Sequence, residues 1–465
     1  METRDLAFAV AACAGELSQG SPATEFRRVN TDSRQAQPGD LFIALSGERF
    51  DGHDFVAEVA QKGAVAVVVE RSRRVMVPPG CAVIQVPNAR RAFGQISGAY
   101  RKQFALPVIA VGGSNGKTST KELIAAVLRQ KRNTLWSEAS FNNDIGVPAT
   151  LLRLENGHQV AVVEVGTNHP GELAPLLDLI QPQFSVITNI GREHLEFFGD
   201  LAGVAQEEGV LAEKLPPGGK LFLNGDDEWS ECLAQRTPAT VVRVGTPAAC
   251  DWRAGNVKLD KNGSTFTVAS GRLEFNGSYR IGLFGRHQVV NALFAVALGA
   301  ELGLSRAEIR RGLAECVPAK MRLQLYEVAG VRVLDDAYNA NADSMRAALQ
   351  VLQELPCKGR RVAVLGDMAE LGAHSESAHA EVGRLAAELG VEQLIAVGQM
   401  AGPMAQAARD AGLSRVIELA DAEAAATGIK SFLKAGDTVL LKASRSARLE
   451  RIVQALQAGE SGKRS

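Results

Sequence analysis

The sequence has little of three features that often reveal a function directly: paired cysteines, net charge and long apolar runs. Its six cysteines are scattered without a C-x-x-C pair, which argues against a zinc site or a disulfide framework and favours isolated thiols. The formal net charge of -1 provides no overall field to attract nucleic acid or an acidic membrane. No apolar run reaches the ~18 residues of a membrane span, and no signal peptide is evident. We therefore expect a cytoplasmic protein.

Length and composition predict several folded domains. Hydrophobic residues make up 46% of the chain and charged residues 22%, a composition typical of globular proteins. At 465 residues the chain is too long for one domain of roughly 100–200 residues. Alternating β-rich and helical patterns predict an α/β protein with parallel sheets. We divide it into a small α/β segment (1–104), a parallel-sheet segment (105–314) and a third α/β segment (315–465). The strands predicted in the last two segments cover 160–165, 184–190, 220–224, 362–365, 393–397 and 438–441.

The sharpest local signal is VIAVGGSNGKTSTKELIAAVL, in which a β-run, a glycine-rich turn and a helix beginning near Thr118 follow one another. The glycines let backbone N–H groups point at an anion, and the helix adds its positive N-terminal end. Lys117 can reach the outer phosphates of a nucleotide, and the Thr118 hydroxyl can ligate magnesium. The match to G-x-x-x-x-G-K-[ST] is incomplete, because Val111 occupies the first glycine position. A turn that merely caps a helix is the alternative, and we predict nucleotide binding.

Polar residues that follow apolar strands suit a magnesium ion. Glu164 lies near the end of VAVVEV, where a charge is costly to bury unless it is paired or metal-bound. Ligands of open α/β sheets bind beyond the carboxyl ends of the strands. His194 follows the next strand and could ligate a metal directly or through water, but a structural role fits it equally well. The polar loop 141–148 by itself would pass as a turn.

Long motifs in a fixed order give the chain a resemblance to the Mur ligases. They are GGSNGKT, FNNDIGVPATLL, VVEVGTNHPGE, TNIGREHLE, GRHQVVNALFAVAL, LDDAYNANADSM, LGDMAELGAHSESAH and LLKASRS, preceded by NTDSRQAQPGDLFIALSGERFDGHDF. The resemblance covers essentially the whole chain. It implies three domains: an N-terminal substrate domain, a central ATPase-like domain and a Rossmann-like C-terminal domain. The blocks DDAYNAN and GDMAELG resemble the family member that adds D-alanyl-D-alanine to UDP-N-acetylmuramoyl-tripeptide, an ATP- and magnesium-dependent monomer of peptidoglycan synthesis.

The resemblance also implies roles for individual residues. The ATP phosphates would be held by Gly113, Ser114, Asn115, Gly116, Lys117, Thr118 and Ser119. A first magnesium would bind Thr118 and Glu164, and a second would bind His194. The adenine side would be contacted by His287 and Asn291. The C-terminal domain would reach the nucleotide through Arg322 and Asp336. The reacting centre and the substrates would be contacted by Asn142, Asn143, Asn339, Asn341, Lys442, Ser444 and Arg445. The uridine nucleotide would be gripped by Ser33 and Arg34.

The sequence departs from the family pattern at three positions. Gln288 replaces the first asparagine of G-x-H-N-x-x-N, so an amide is retained. Ala342 stands where proline is common, which we expect to loosen a turn. Glu208 stands where many members carry a carbamylated lysine that supports the second magnesium. A glutamate carboxylate could supply similar charge; the alternative is a solvated helix residue in a shifted register.

Other interpretations of the sequence remain open. A folylpolyglutamate synthase-like ligase would use another amine, a phosphotransferase would modify a hydroxyl, and a non-catalytic module would bind ATP without turnover. The early block and YNAN disfavour the first, while intact Lys117, Thr118 and Glu164 disfavour the last. In GDMAELG and the following helix, Asp367, Glu370 and His379 either position the amine substrate or shape a loop.

Overall fold

The computed structural model describes residues 1–47 and 50–461, the last three by backbone only, so the final four residues of the predicted third segment lie outside it. It contains three α/β units, each built on its own sheet. This is the three-domain α/β class predicted from the sequence. No helix within the described residues is both long and apolar enough to span a membrane.

The N-terminal unit is small and mostly parallel. Its strands are β1 (Arg4–Asp5), β2 (Glu16–Gln19), β3 (Glu25–Phe26), β4 (Arg28–Asn30), β5 (Asp40–Ile43), β6 (Ala66–Glu70) and β7 (Ala82–Val86). Its helices are α1 (Leu6–Cys13), α2 (Val56–Gln61) and α3 (Ala89–Arg101). The main sheet has the order β2-β7-β6-β5-β4, with only the edge strand β2 antiparallel. Helix α3 packs on the next unit, so one hydrophobic core joins the two units.

The central unit contains nine strands in one sheet, ordered β16-β15-β14-β13-β12-β11-β8-β10-β9. The strands are β8 (Val108–Gly112), β9 (Thr134–Trp136), β10 (Val160–Glu164), β11 (Phe184–Ile187), β12 (Lys220–Asn224), β13 (Thr240–Gly245), β14 (Trp252–Asp260), β15 (Gly263–Ser270) and β16 (Gly277–Ile281). The first six pair in parallel, and β14 to β16 form an antiparallel extension that the sequence patterns did not reveal. Strand β8 lies between β10 and β11, which places the following loop at the centre of the sheet's carboxyl edge.

Helices cover both faces of this sheet. They are α4 (Lys117–Leu128), α5 (Gly146–Leu151), α6 (Leu173–Ile180), α7 (Leu195–Phe198), α8 (Leu201–Glu208), α9 (Val210–Glu213), α10 (Ser230–Ala234), α11 (Arg286–Glu301) and α12 (Arg306–Glu315). Because both faces are covered, the central strands are continuously apolar rather than alternating. Helix α4 buries an apolar stripe formed by Leu123, Ile124, Val127 and Leu128, which are fully inaccessible.

The C-terminal unit has the sheet order β17-β18-β22-β19-β20-β21, parallel except for the β17–β18 hairpin. Its strands are β17 (Gln324–Val328), β18 (Val331–Asp335), β19 (Arg361–Gly366), β20 (Gln393–Val397), β21 (Val416–Leu419) and β22 (Thr438–Lys442). Its helices are α13 (Ala342–Glu354), α14 (Ser375–Glu388), α15 (Ala401–Asp410), α16 (Ala422–Phe432) and α17 (Glu450–Ser461). The six strands predicted for the central and C-terminal segments are confirmed, with ends that differ by up to three residues.

Ala342 is not in a turn, which corrects the sequence prediction. It is the first residue of α13, directly after the N-cap Asn341. The Asn341 side chain accepts from the Ser344 amide, and the Ser344 side chain accepts in return from the Asn341 amide. Proline is favoured at the first helical position because its fixed φ suits the helix. The reciprocal cap starts the helix without it.

Candidate active site

A cavity of about 1570 Å³ lies where the three units meet. Its N-terminal side includes Arg90 and Arg91 of α3, its floor is the loop between β8 and α4, and its far wall carries Asn339 and Lys442 of the C-terminal unit. The carboxyl ends of β8 and β10 open into it, as expected for a ligand site at the switch point of a parallel sheet.

The loop after β8 has the conformation of an anion cradle. Gly113 and Gly116 adopt φ of +104° and +84°, and a Cβ at Gly113 would lie 2.7 Å from the Thr188 amide nitrogen. Helix α4 begins at Lys117, and no side chain in the described part of the chain caps its first turn. The unused N–H groups of that turn and the helix dipole therefore favour a bound anion. Val111, which occupies the first glycine position of the motif, lies inside β8, where the extended backbone does not require glycine.

Lys117 folds back onto this loop. Its Nζ donates to the carbonyl oxygens of Gly113 (2.6 Å) and Ser114 (3.1 Å) and to Oε2 of Glu193 (3.3 Å). Burial alone would lower the pKa of Lys117, but the carboxylates of Glu193, Glu208 and Glu164 outweigh burial and raise it. The Lys117 side chain is therefore positively charged, and phosphate oxygens could replace the carbonyl oxygens that now accept its hydrogen bonds.

Glu164 lies at the end of β10, and its side chain contacts Thr118. Its Oε1 accepts from the Thr118 hydroxyl (3.2 Å) and from Nδ2 of Asn142 (3.0 Å). The residue is 1% exposed, and Oε2 has no hydrogen-bond partner among the described residues, the nearest cation being Lys121 at 4.0 Å. Burial raises its pKa, an effect that Lys121 partly opposes.

This arrangement fits a magnesium ion. A buried carboxylate oxygen without a hydrogen-bond partner among the described residues, beside a hydroxyl, offers the oxygen ligands that a hard cation prefers. Within the part of the chain that the structure describes, no three histidine, cysteine or acidic side chains gather as a complete metal cage. A cation here would thus take its remaining ligands from the phosphates of a nucleotide and from water, which is the usual mode of magnesium in nucleotide sites.

Glu208 is not a solvated helix residue. It is completely buried at the end of α8, where Oε2 accepts from the Gly113 amide at 2.7 Å, and Oε1 has no hydrogen-bond partner among the described residues. It approaches the loop from behind and does not line the cavity. Burial raises its pKa to about 8, although Lys117 opposes the shift.

The raised pKa of Glu208 predicts a pH-dependent difference in stability between the wild type and Glu208→Gln. The folded-state value of about 8 lies above the ordinary value of 4.5, so the folded protein retains a proton that the unfolded chain releases. This stabilisation is fully present below pH 4.5 and is lost as the pH rises through about 8. We expect the Tm of the nucleotide-free wild type to fall relative to Glu208→Gln over that range. A difference that stays constant throughout would contradict the raised pKa.

His194 lies in the cavity wall with its ring held from the C-terminal unit. Its Nδ1 contacts Oε2 of Glu370, and this hydrogen bond lowers the pKa of Glu370. Because an ionised carboxylate can only accept, the hydrogen bond is donated by Nδ1, and Nε2 is the ring nitrogen that Glu370 does not engage. The structure places no contact between His194 and Glu208, which were predicted from the sequence to serve the same ion.

The residues predicted for the nucleotide's base side lie together at the start of α11. Asn291 donates from Nδ2 to Oε1 of Gln288 (3.1 Å), and its amide covers Gly116 so closely that a Cβ there would be 2.9 Å away. The side-chain amide of Gln288 thus orients Asn291, which packs on the loop. His287 lines the cavity, and burial lowers its pKa to about 4, so it is neutral at physiological pH.

The C-terminal unit contributes a charged pair to the same cavity. Lys442 donates from Nζ to Oδ2 of Asp336 (2.5 Å) and to the carbonyl oxygen of Asn339 (3.0 Å). Burial lowers the pKa of Lys442, opposed by Asp336. Arg322 lies over the ring of Tyr338, 4.1 Å from its centroid. These C-terminal residues and the Lys117 loop face one cavity, as predicted.

Some predicted substrate residues are not brought into the cavity. Arg34 is exposed and paired with Asp32, and Ser33 lies beside it on the N-terminal unit. Arg445 pairs with Glu450, while Ser444 is buried and accepts from the Ala369 amide. In contrast, Ser114, Asn115, Ser119, Asn142, Asn143, Asn339 and Asn341 do line the cavity.

Several site residues were not identified from the sequence. Glu193 contacts Lys117, and the fully buried Lys121 donates to the carbonyl oxygens of Ser137 (2.8 Å) and Ala139 (2.9 Å). Arg192 bridges to Asp343 and Glu381 of the C-terminal unit. Their only sequence signal is adjacency: Arg192 and Glu193 precede His194 directly, and Lys121 follows Lys117 by one helical turn.

Two residues of the segment that follows β19 hold neighbouring loops in place and do not line the cavity. Asp367 accepts from the amides of Gln399 and Met400, both at 2.9 Å. His379 is fully buried, and its Nε2 accepts from the Met368 amide at 2.9 Å. Only Glu370 of the three candidates reaches the cavity.

Comparison with known proteins agrees with this geometry. A protein of Escherichia coli named UDP-N-acetylmuramoyl-tripeptide--D-alanyl-D-alanine ligase is 40% identical over 455 residues, covering 95% of this chain and 96% of that one. A Bacillus subtilis protein of the same name is 35% identical, with 93% of each chain covered. The crystal structure of MurF from Acinetobacter baumannii superposes with a TM-score of 0.90 at 33% identity, covering 98% of this chain and 99% of that one.

A second crystal structure, MurF ligase from Thermotoga maritima in complex with ADP, matches with a TM-score of 0.82 at 25% identity, covering 94% of this chain and 99% of that one. Three family profiles follow one another along the sequence: the Mur ligase family catalytic domain over 25–101, the Mur ligase middle domain over 111–299 and the Mur ligase glutamate ligase domain over 321–445. The chain belongs to the Mur ligase family.

Proposed function

We propose that the protein is an ATP-dependent ligase that joins D-alanyl-D-alanine to UDP-N-acetylmuramoyl-tripeptide in cytoplasmic peptidoglycan precursor synthesis, acting as a monomer. The observation that carries the proposal is the phosphate loop: a charged Lys117 and an uncapped helix start lie beside buried Glu164, in a cavity that all three units line. The names and the extent of the relatives support the substrates.

The three units would divide the work as domains with the boundaries 1–104, 105–314 and 315–465. The first, containing Ser33 and Arg34, would hold the uridine nucleotide. The central domain would bind ATP, with His287 and Asn291 on the adenine side. The third would bring Arg322, Asp336 and Lys442 to the nucleotide, and its asparagines 339 and 341 to the substrates.

An amine does not displace the oxygen of a free carboxylate, because that oxygen is a poor leaving group, so the carboxylate must first be activated. Transfer of the γ-phosphoryl group from ATP to the tripeptide's terminal carboxylate forms an acyl phosphate and releases ADP. The amine of D-alanyl-D-alanine then attacks the carbonyl carbon, the carbon–oxygen bond to phosphate breaks, and the amine loses a proton. Lys117 would exchange its loop carbonyl partners for phosphate oxygens and offset the charge that spreads over the transferred group.

Magnesium fits the same residues. Thr118 and Glu164 would hold a first ion, and His194 would supply a protein group for a second, while Glu208 would support that ion from behind the loop that it holds. Bound there, the ions would reduce the repulsion between ATP and the peptide carboxylate. Exclusion of water by the C-terminal unit would protect the acyl phosphate from hydrolysis.

Mass spectrometry of the product tests the function. The full-length protein incubated with ATP, magnesium, UDP-linked tripeptide and D-alanyl-D-alanine should yield the UDP-linked pentapeptide and ADP. Hydroxylamine added without the dipeptide should trap the acyl phosphate as a hydroxamate. A phosphate ester untouched by hydroxylamine would identify a phosphotransferase, and ATP hydrolysis without need of a peptide carboxylate would also refute the proposal.

The glutamate at position 208 leads to a separate prediction about ligase turnover. Because a carboxylate is already encoded at this position, turnover should not depend on bicarbonate, which a carbamylated lysine requires. Glu208→Ala should lower magnesium-dependent turnover by roughly 10–100-fold, the usual cost of disturbing groups that support a metal site. The assay is ADP release in carbonate-free buffer with and without added bicarbonate. Full turnover by Glu208→Ala would show that the role assigned to this residue is wrong.

A further inference from the structure

Glu370 connects the C-terminal unit to the wall of the phosphate site. It is the carboxylate of GDMAELG that reaches the cavity, and its partner His194 is 176 residues away in the central unit. Its backbone is engaged as well, because its carbonyl oxygen accepts from the Glu196 amide at 3.2 Å. The loop therefore docks on the segment around His194 through both side chain and main chain.

Both partners have an unfavourable backbone conformation. His194 has φ of 50° and Glu370 has φ of 59°, in the left-handed region that side chains rarely adopt. Such conformations persist only where surrounding contacts determine them, and they concentrate at functional sites. Two such residues face each other across the boundary between two units. A relaxed backbone at either residue would redirect its side chain, so the surrounding structure holds both residues in place for this contact.

The segment 191–196 faces two ways. Arg192 binds Asp343 and Glu381 of the C-terminal unit, and His194 binds Glu370 there. Between them, Glu193 turns to Lys117 of the phosphate loop. One short segment therefore contacts both the C-terminal unit and the phosphate loop.

We propose that Glu370 is a positioning residue: it accepts the Nδ1 proton of His194 and so presents the free Nε2 to the second magnesium, once the C-terminal unit has docked. Histidine ligands of metals are commonly held in this way by a carboxylate on the other ring nitrogen. Here the carboxylate belongs to another unit, so the second metal position is completed by docking. The inference rests on the proposed function, which places that ion at His194.

The test is a titration of Mn²⁺, followed by electron paramagnetic resonance, into the full-length protein saturated with a non-hydrolysable ATP analogue and UDP-linked tripeptide. The wild type should bind two ions. Glu370→Ala and His194→Ala should each weaken the second ion by about 10–100-fold, and the double variant should be no worse than either, because both remove one interaction. Glu370→Gln should retain most of the affinity, since its amide oxygen can accept the same proton.

Glu381→Ala is the matched control. It removes another carboxylate of the C-terminal unit that binds the same segment, through Arg192, without touching His194. Its second-ion affinity should equal that of the wild type, and small-angle scattering should show equal compaction for this variant and Glu370→Ala. Equal weakening by Glu370→Ala and Glu381→Ala would overturn the inference in favour of general docking.

Two further outcomes separate this inference from the proposed function. Loss of the second ion in His194→Ala but not in Glu370→Ala would overturn the positioning role alone. Retention of the second ion in both variants would overturn it together with the metal role of His194, while product formation would still decide the ligase activity independently.

Discussion

Replacing Lys117 with methionine is expected to lower kcat by about 10³-fold or more, because one preorganised cation at a developing negative charge contributes on that order. The ammonium already lies within hydrogen-bond distance of the loop carbonyls, so it needs only a short movement to reach a phosphate. Methionine preserves the length of the side chain and removes the charge. ADP release at saturating ATP, magnesium and both substrates measures the effect.

An exposed lysine of the same unit provides the control for Lys117. Lys258→Met lies on the surface strand β14 and should leave kcat unchanged. Circular dichroism should show that both variants are folded. A kcat for Lys117→Met within tenfold of the wild type would mean that the loop does not act on the transferred phosphoryl group.

Glu164→Gln is expected to lower turnover by about 10²–10³-fold, because an amide neutralises the anionic ligand predicted for the first magnesium. The same change should leave the Tm of the nucleotide-free protein equal or higher. The carboxylate is 1% exposed, one of its oxygens has no hydrogen-bond partner among the described residues, and a neutral amide costs less to bury than a charge. Loss of activity with gain of stability is the usual signature of a residue kept for function.

Steady-state rates across a magnesium titration, together with thermal unfolding, test this prediction. Glu231→Gln removes an exposed carboxylate of the same unit, one that pairs with Arg243, and should change neither quantity appreciably. A Glu164→Gln variant that turns over normally, or one that is clearly less stable without nucleotide, would show that Glu164 serves the fold.

The phosphate loop could be predicted because its determinants are contiguous. Strand, glycines, lysine and helix occupy 21 consecutive residues, from β8 through α4, and each local preference is satisfied without help from distant parts of the chain. The helix begins at Lys117, one residue before the predicted start. The six parallel strands named from the sequence were predicted for a similar reason, because sheets covered on both faces require continuous apolar runs, whereas the antiparallel strands β14 to β16 were missed.

The contacts that complete the site could not be predicted in this way. Glu208 lies 95 positions from the Gly113 amide that it holds, and Glu193 lies 76 from Lys117. A charged residue in a polar segment looks solvated until the fold shows what surrounds it. For the same reason, the sequence did not distinguish Glu370, which reaches the cavity, from Asp367, which binds amides of the loop after β20.

The sequence by itself determined the α/β class, the three segments, the anion-binding loop and the family resemblance, because all of these depend on local order along the chain. Only the tertiary structure decided which charges are buried together around Lys117 and which residues meet across the cavity. Burial and distance set the free energy of a charge, and both are properties of the folded chain rather than of sequence spacing.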